Sequence, residues 1–188
     1  SHGIVDGIAF APTETQTYQV LGTGVNGCTN SAQVTIQVNN LPLIVANASQ
    51  SAICTDGQVT LTGNGGTSYS WSNGVINGVP FTPSSTQTYT VAGTDVNGCI
   101  GNDQVTVSLL PVPNVDAGSD LIVCQNQSVT LNASGAVTYS WDNGVFNGVP
   151  FTPSAGGVYT VTGTGANGCV GSDQLTITLN SLPVVQAN

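Results

Sequence analysis

The 188-residue chain carries no Lys or Arg, nine carboxylates and one histidine, giving a formal charge of −9. Nucleic acids and anionic membranes are recognised through cationic side chains that neutralise phosphate, so neither is an expected partner. With 39% apolar residues and only 5% charged ones, the composition is that of a folding chain and not of a disordered polyanion.

In chain order, the first signals are "FAPTETQTYQV" (Phe10 to Val20) and "VNGC" (Val25 to Cys28). Both return 71 residues later as "FTPSSTQTYTV" and "VNGC", so residues 1–40 read as the C-terminal half of a repeat. Residues 41–111 and 112–181 are two full repeats. Cys54 and Cys124, Trp71 and Trp141, Tyr89 and Tyr159, and Cys99 and Cys169 are each 70 residues apart. The phrase "WSNGVINGVPFTPS" at Trp71 is nearly restated as "WDNGVFNGVPFTPS" at Trp141. The tail 182–188, "LPVVQAN", resembles "LPLIVAN" at Leu41, and is expected to be the first strand of a following repeat.

Within a unit, "SVTLNAS", "TYSWDNG", "VYTVTGTG" and "DQLTITLN" alternate apolar with polar residues and are rich in β-branched and aromatic types, which predicts strands. No segment has a helical period. Asn26-Gly27, Asn97-Gly98 and Asn167-Gly168 each lie between two such strands and suit a tight hairpin. Asn73-Gly74 and Asn77-Gly78 are expected to turn the chain twice after the Trp strand, with Val79 to Phe81 returning to the core. The fold class is therefore all-β, with tandem antiparallel sandwiches of about 70 residues. No run of apolar residues is long enough to span a bilayer, and any export signal is expected outside this stretch.

A unit of about 70 residues has a small core that benefits from reinforcement. The five cysteines form no close CxxC pair, so disulfides are expected rather than zinc or redox sites. Pairing Cys54 with Cys99 and Cys124 with Cys169 gives each repeat one bridge over a separation of 45, worth about 4 kcal/mol by loop closure. It requires both cysteines at one end of the sandwich, as strictly alternating strands would place them. Cys28 is then unpaired in this segment.

Trp71 and Trp141 share a strand face with a tyrosine and are expected in the core together with Tyr89, Tyr159, Phe81 and Phe151. Tyr18, Tyr89 and Tyr159 open the penultimate strand, in the manner of a tyrosine corner. Asp116 and Asp120 in "DAGSD" are the best isolated carboxylate pair for calcium, but they are weak candidates because only Asp103 and Asp173 recur at the period. No cofactor is expected. A Ser or Cys nucleophile lacks a base, since the only imidazole is His2 and there is no lysine, so an enzyme is not expected. Lysine-based isopeptide crosslinks are closed for the same reason. The tripeptides at Asn47, Asn126 and Asn132 fit the N-glycosylation pattern, as chance allows in so Asn- and Ser-rich a chain.

Taken together, the cysteine, "YSW", "NGV.NGVPFTPS", "TYTV" and "NGC" signals resemble the tandem immunoglobulin-like repeats of giant cell-surface adhesins and secreted proteins of Bacteroidetes-type bacteria. That resemblance implies a non-catalytic repeat, secreted or held at the cell surface by type IX secretion. It places Cys54, Cys99, Cys124, Cys169, Trp71, Trp141, Tyr89 and Tyr159 on the family's core pattern. The first reading is thus a stalk, each unit adding roughly 30 to 40 Å, whose partners are neighbouring repeats and, at its tip, other cells or surface glycans. Two others stand beside it. One is a filament subunit that completes its front half by strand exchange. The other is a carbohydrate-binding module, which calls for exposed aromatics.

Overall fold

Where the repeat alternates apolar with polar residues, the backbone extends. In the computed structural model, which describes residues 4–186, that alternation becomes fifteen strands and a single 3-10 turn among the described residues. His2 and the last two positions of 182–188 lie outside the described residues, and residues 181–186 carry no strand. No helix among the described residues is long and apolar enough to cross a membrane.

The front half-repeat is one antiparallel hairpin, β1 (Gln16–Thr23) against β2 (Thr29–Ile36). The first full repeat contributes β3 (Val45–Ala48), β4 (Ala52–Cys54), β5 (Val59–Asn64), β6 (Ser68–Trp71), the 3-10 turn Ser72–Gly74, β7 (Pro80–Phe81), β8 (Gln87–Thr94) and β9 (Ile100–Leu110). Its sheets run β3-β5-β7 and β4-β9-β8-β6. The second contributes β10 (Leu121–Cys124), β11 (Val129–Thr130), β12 (Thr138–Trp141), β13 (Pro150–Phe151), β14 (Gly157–Thr164) and β15 (Val170–Asn180). Here the sheets run β11-β13 and β10-β15-β14-β12, and an Asp116–Ser134 bridge stands where β3 meets β5 in the first repeat. This is an all-β, immunoglobulin-like sandwich, written twice.

Contacts group the chain into two compact units. Among the described residues, one draws on 4–49, 60–80 and 88–105, the other on 50–59, 81–87 and 106–186. In the second unit the inward residues of β14 and β15, Tyr159, Val161, Leu175 and Ile177, close over Trp141, Leu131 and Val115. The strand period decides this, because alternate residues of one strand face one side.

The twin phrase turns as expected at its first dipeptide and at the second glycine: Asn73, Gly74 and Gly78 have φ of 58°, 71° and 77°, and Asn143, Gly144 and Gly148 repeat them at 54°, 71° and 74°. The stretch after the second turn departs from the sequence expectation. Val79 and Val149 stay about half exposed instead of returning to the core, and only Phe81 and Phe151 are partly buried.

Two contacts fix the start of each full repeat. The Pro42 and Pro113 carbonyl oxygens lie where a Cβ on Gly101 or Gly171 would stand, so glycine lets the incoming chain cross the last hairpin at contact distance. The carboxylates of Asp103 and Asp173 then accept the Ala46 and Ala117 N–H groups, each at 2.8 Å. These backbone donors hold both carboxyls below the ordinary carboxylate range. A depressed folded-state value gives stability that is complete above the unfolded pKa and lost as pH falls through the folded one. The thermal midpoint should therefore hold steady from neutral pH to about pH 4 and drop below it. In the Asp103→Asn/Asp173→Asn double variant that acid drop should be shallower, as calorimetry across pH would read.

Candidate functional site

The residues with chemistry to offer are the cysteines, and their positions follow from strand direction. β10 pairs with β15 in parallel, Leu121 against Ile177 and Cys124 against Asn180. Cys124 thus lies beside the last residue of β15, whereas Cys169 directly precedes its first residue, Val170. Eleven residues of strand separate these ends by about 34 Å at 3.4 Å per residue, far beyond the reach of a disulfide. The same parallel register sets Cys54 beside Leu110, at the close of β9, while Cys99 stands before Ile100 at its opening. Strict alternation would have made the β10/β15 pairing antiparallel.

The expected pairs Cys54/Cys99 and Cys124/Cys169 are accordingly replaced. Cys54 is bonded to Cys169, 115 residues on, with Cα atoms 5.7 Å apart, and Cys28, Cys99 and Cys124 are free thiols. The bridge joins the strand end of one sequence repeat to the hairpin turn of the next, instead of closing either repeat on itself.

Hydrogen bonds frame both halves. On the strand-end side, the Thr55 N–H donates to the Leu110 carbonyl at 2.9 Å and the Gly57 N–H to the Cys54 carbonyl at 2.9 Å. On the hairpin side, the Gly165 N–H donates to the Cys169 carbonyl at 2.9 Å. The Asn167 Oδ1 accepts the Cys169 N–H at 3.1 Å, and its Nδ2 donates to the Pro111 carbonyl at 2.8 Å, so one side chain links the turn to the chain joining the repeats. Cys169 is fully buried, while Cys99 is partly exposed and Cys28 exposed at matching turns.

Trp71 and Trp141 are each 6% exposed, so their faces are not offered to a ligand. Their indole N–H groups reach Asn77 Oδ1 (3.0 Å) and Asn147 Oδ1 (3.1 Å), which also accept the Gly63 and Ala133 N–H groups at 2.7 Å. Sequence reasoning saw only a turn residue in Asn77. The signal for its second role was its fixed place six residues after each tryptophan. Asn77→Ala orphans two donors and should cost about 2 kcal/mol, read by denaturant unfolding, whereas Asn73→Ala, which gives up a left-handed turn preference and one exposed 3.5 Å hydrogen bond to Ser72 Oγ, should cost less.

Tyr89 and Tyr159 are buried, and Tyr69 and Tyr139 clamp the backbone. The Tyr69 hydroxyl accepts from the Gly66 N–H (2.8 Å) and donates to its carbonyl (2.6 Å), and Tyr139 does the same at Ala136 (2.8 and 2.7 Å). Asp116 and Asp120 are spent on backbone, accepting the Gly118 N–H at 2.9 Å and the Thr176 N–H at 2.7 Å. Among the described residues no three His, Cys, Asp or Glu side chains gather as a metal site would need.

One apolar surface stands open. On the front hairpin Val20 is 65% exposed, although Val91 and Val161, its counterparts in the full repeats, are 0%. A groove of about 440 Å³ there is lined by Ile4, Phe10, Tyr18, Val34 and Ile36 among others, with Phe10 edge-on to Tyr18 at 5.2 Å.

No protein-family model matches the chain, nor does any curated protein. Among solved structures it is similar to immunoglobulin domains 1–4 of Sidekick-1, with 13% identity over 92% of this chain and 60% of that one and a TM-score of 0.32. It is similar also to the human desmocollin-1 ectodomain (13%, 88% and 47%, 0.25). A further likeness is to SGBP-B of the mixed-linkage glucan utilization locus of Bacteroides ovatus, solved with a mixed-linkage heptasaccharide (15%, 89% and 54%, 0.25). The chain spans about half the length of these solved chains. At such TM-scores the likenesses leave function to the chain's own residues.

Proposed function

We propose that this chain is a non-catalytic structural repeat array of an extracellular bacterial adhesin, a stalk whose role is reach. In this reading residues 41–111 and 112–181 are successive sandwich domains, 1–40 is the closing half of another, and 182–188 begins a further one. The observation that carries it is the Cys54–Cys169 bridge. A bond from the strand end of one sequence repeat to the hairpin of the next, beside the Pro111 carbonyl that Asn167 also engages, ties successive repeats covalently, as a row of them calls for. Disulfides persist in oxidising compartments, which supports a surface or secreted location. The resemblance to Bacteroidetes-type adhesin repeats adds type IX export to the proposal. Partners are then neighbouring repeats along the row and other cells or surface glycans at its tip.

Small-angle scattering on the oxidised chain tests the stalk. A globule of this length has a radius of gyration of about 16 Å, whereas a row of units 30 to 40 Å long gives about 25 Å. A value near the globule overturns the reading.

The exposed face of the front hairpin favours one alternative, a filament subunit completed by a strand from a neighbour. Native material of one defined mass near 18.9 kDa per subunit supports the filament. A continuous, much heavier chain supports the stalk.

A further inference from the structure

Three hairpin cysteines and two strand-end cysteines make up the thiol inventory, and only one of each is joined. The unjoined ones reproduce the backbone of the joined pair. At the strand end, the Gln125 N–H donates to the Asn180 carbonyl at 2.9 Å and the Gln127 N–H to the Cys124 carbonyl at 3.1 Å, as Thr55 and Gly57 do around Cys54. Both strand-end cysteines close a short strand paired in parallel with the last strand of their repeat. At the hairpins, Gly24 donates to the Cys28 carbonyl at 2.8 Å and Asp95 to the Cys99 carbonyl at 3.0 Å, as Gly165 does to Cys169. The Cys28 and Cys99 N–H groups are capped by Asn26 Oδ1 (3.2 Å) and Asp95 Oδ1 (2.8 Å).

We propose that Cys124 and Cys99 are complementary halves of the joint seen at Cys54–Cys169. Cys124 receives the hairpin cysteine of a following 70-residue unit, and Cys99 receives the strand-end cysteine of a preceding one. Every disulfide of the array then crosses a repeat boundary, and no repeat closes on itself. The partner is identified by chemistry already present: an Asn-Gly-Cys turn whose asparagine amide can donate to a main-chain carbonyl, as Asn167 does to Pro111. That acceptor belongs to the backbone, so Ser181, which stands where Pro111 does one period earlier, supplies it equally. Bond formation is a two-electron oxidation. Two thiols lose two protons and two electrons to an extracytoplasmic disulfide oxidant by thiol–disulfide exchange, and the oxidant is reduced to its dithiol.

The inference rests on the array reading, and its test separates the two. Leu182 to Asn188 align with residues 112–118, so the full chain is lengthened after Asn188 by a copy of residues 119–181. The product is oxidised with a glutathione couple, its remaining thiols are alkylated, and its disulfides are mapped by mass spectrometry. The expected result is two disulfides: Cys54–Cys169, and Cys124 joined to the added hairpin cysteine. Cys124 found alkylated, or joined to the added strand-end cysteine, overturns the inference even where scattering still reports a rod. Loss of Cys54–Cys169 from the map overturns the joint itself. Should the lengthened chain not fold, the same map is read on protein isolated from its source cells, where Cys124 joined to anything but a hairpin cysteine sinks the proposal.

Discussion

Cys54→Ser should lower the unfolding free energy of the oxidised chain by on the order of 5 kcal/mol, while Cys99→Ser should leave it within about 0.5 kcal/mol. The first figure is the loop-closure entropy that a cross-link across 115 residues removes from the unfolded ensemble. It exceeds the value for a separation of 45 only slightly, because closure entropy grows with the logarithm of loop length. The contrast between the two variants therefore decides the matter. Pairing within each repeat predicts equal losses for Cys54→Ser and Cys99→Ser. Pairing across the boundary predicts a loss for Cys54→Ser and for Cys169→Ser, with no further loss when the two are combined. A reducing agent should bring the wild type to the level of Cys54→Ser and change Cys54→Ser little. Denaturant unfolding with and without reductant reads all of these.

Trp141→Ala should destabilise by about 3 to 5 kcal/mol, the range for deleting a buried aromatic side chain. Trp141 packs in the cluster formed by Leu131, Tyr159, Val161, Leu175 and Ile177, and its loss leaves a cavity and also an Asn147 acceptor without its indole donor. Trp141→Phe keeps much of the volume and loses the hydrogen bond, so it should fall between Ala and wild type. Phe146→Ala should change stability by less than about 0.5 kcal/mol, because that ring is 72% exposed. The pair also bears on the carbohydrate-binding alternative. Glycan binding that survives Trp141→Phe and is lost in Phe146→Ala would revive that alternative on a residue the stalk reading leaves idle.

The strands and their Asn-Gly hairpins were legible because their causes are local. Alternation in "VYTVTGTG" and "DQLTITLN" needs only neighbours along the chain, and in the Asn167-Gly168 turn it is Gly168 that supplies the positive φ, 81°. The cysteine partners were not legible, for a reason of arithmetic and geometry together. Separations of 45 and 115 differ by one period of 70, so a repeating sequence allows pairing within a unit and pairing across a boundary alike. Only the parallel alignment of β4 with β9 and of β10 with β15 distinguishes them, and that is a contact between strands more than 40 residues apart. The roles of Asn77 and Tyr69 were hidden in another way. A side chain that suits a turn or a strand face for local reasons can also satisfy a distant donor, and the hydropathy pattern is the same either way. Val79 failed because a corner built for turning leaves its outer side in water.

The central claim is that the covalent link runs between repeats, and peptide mapping of the oxidised chain tests it most directly. With no Lys or Arg for trypsin, cleavage before aspartate yields fragments 6–55, 95–102, 120–141 and 142–172, which carry all five cysteines. The account predicts 6–55 joined to 142–172 through Cys54 and Cys169. Finding 6–55 joined to 95–102, and 120–141 joined to 142–172, would contradict it.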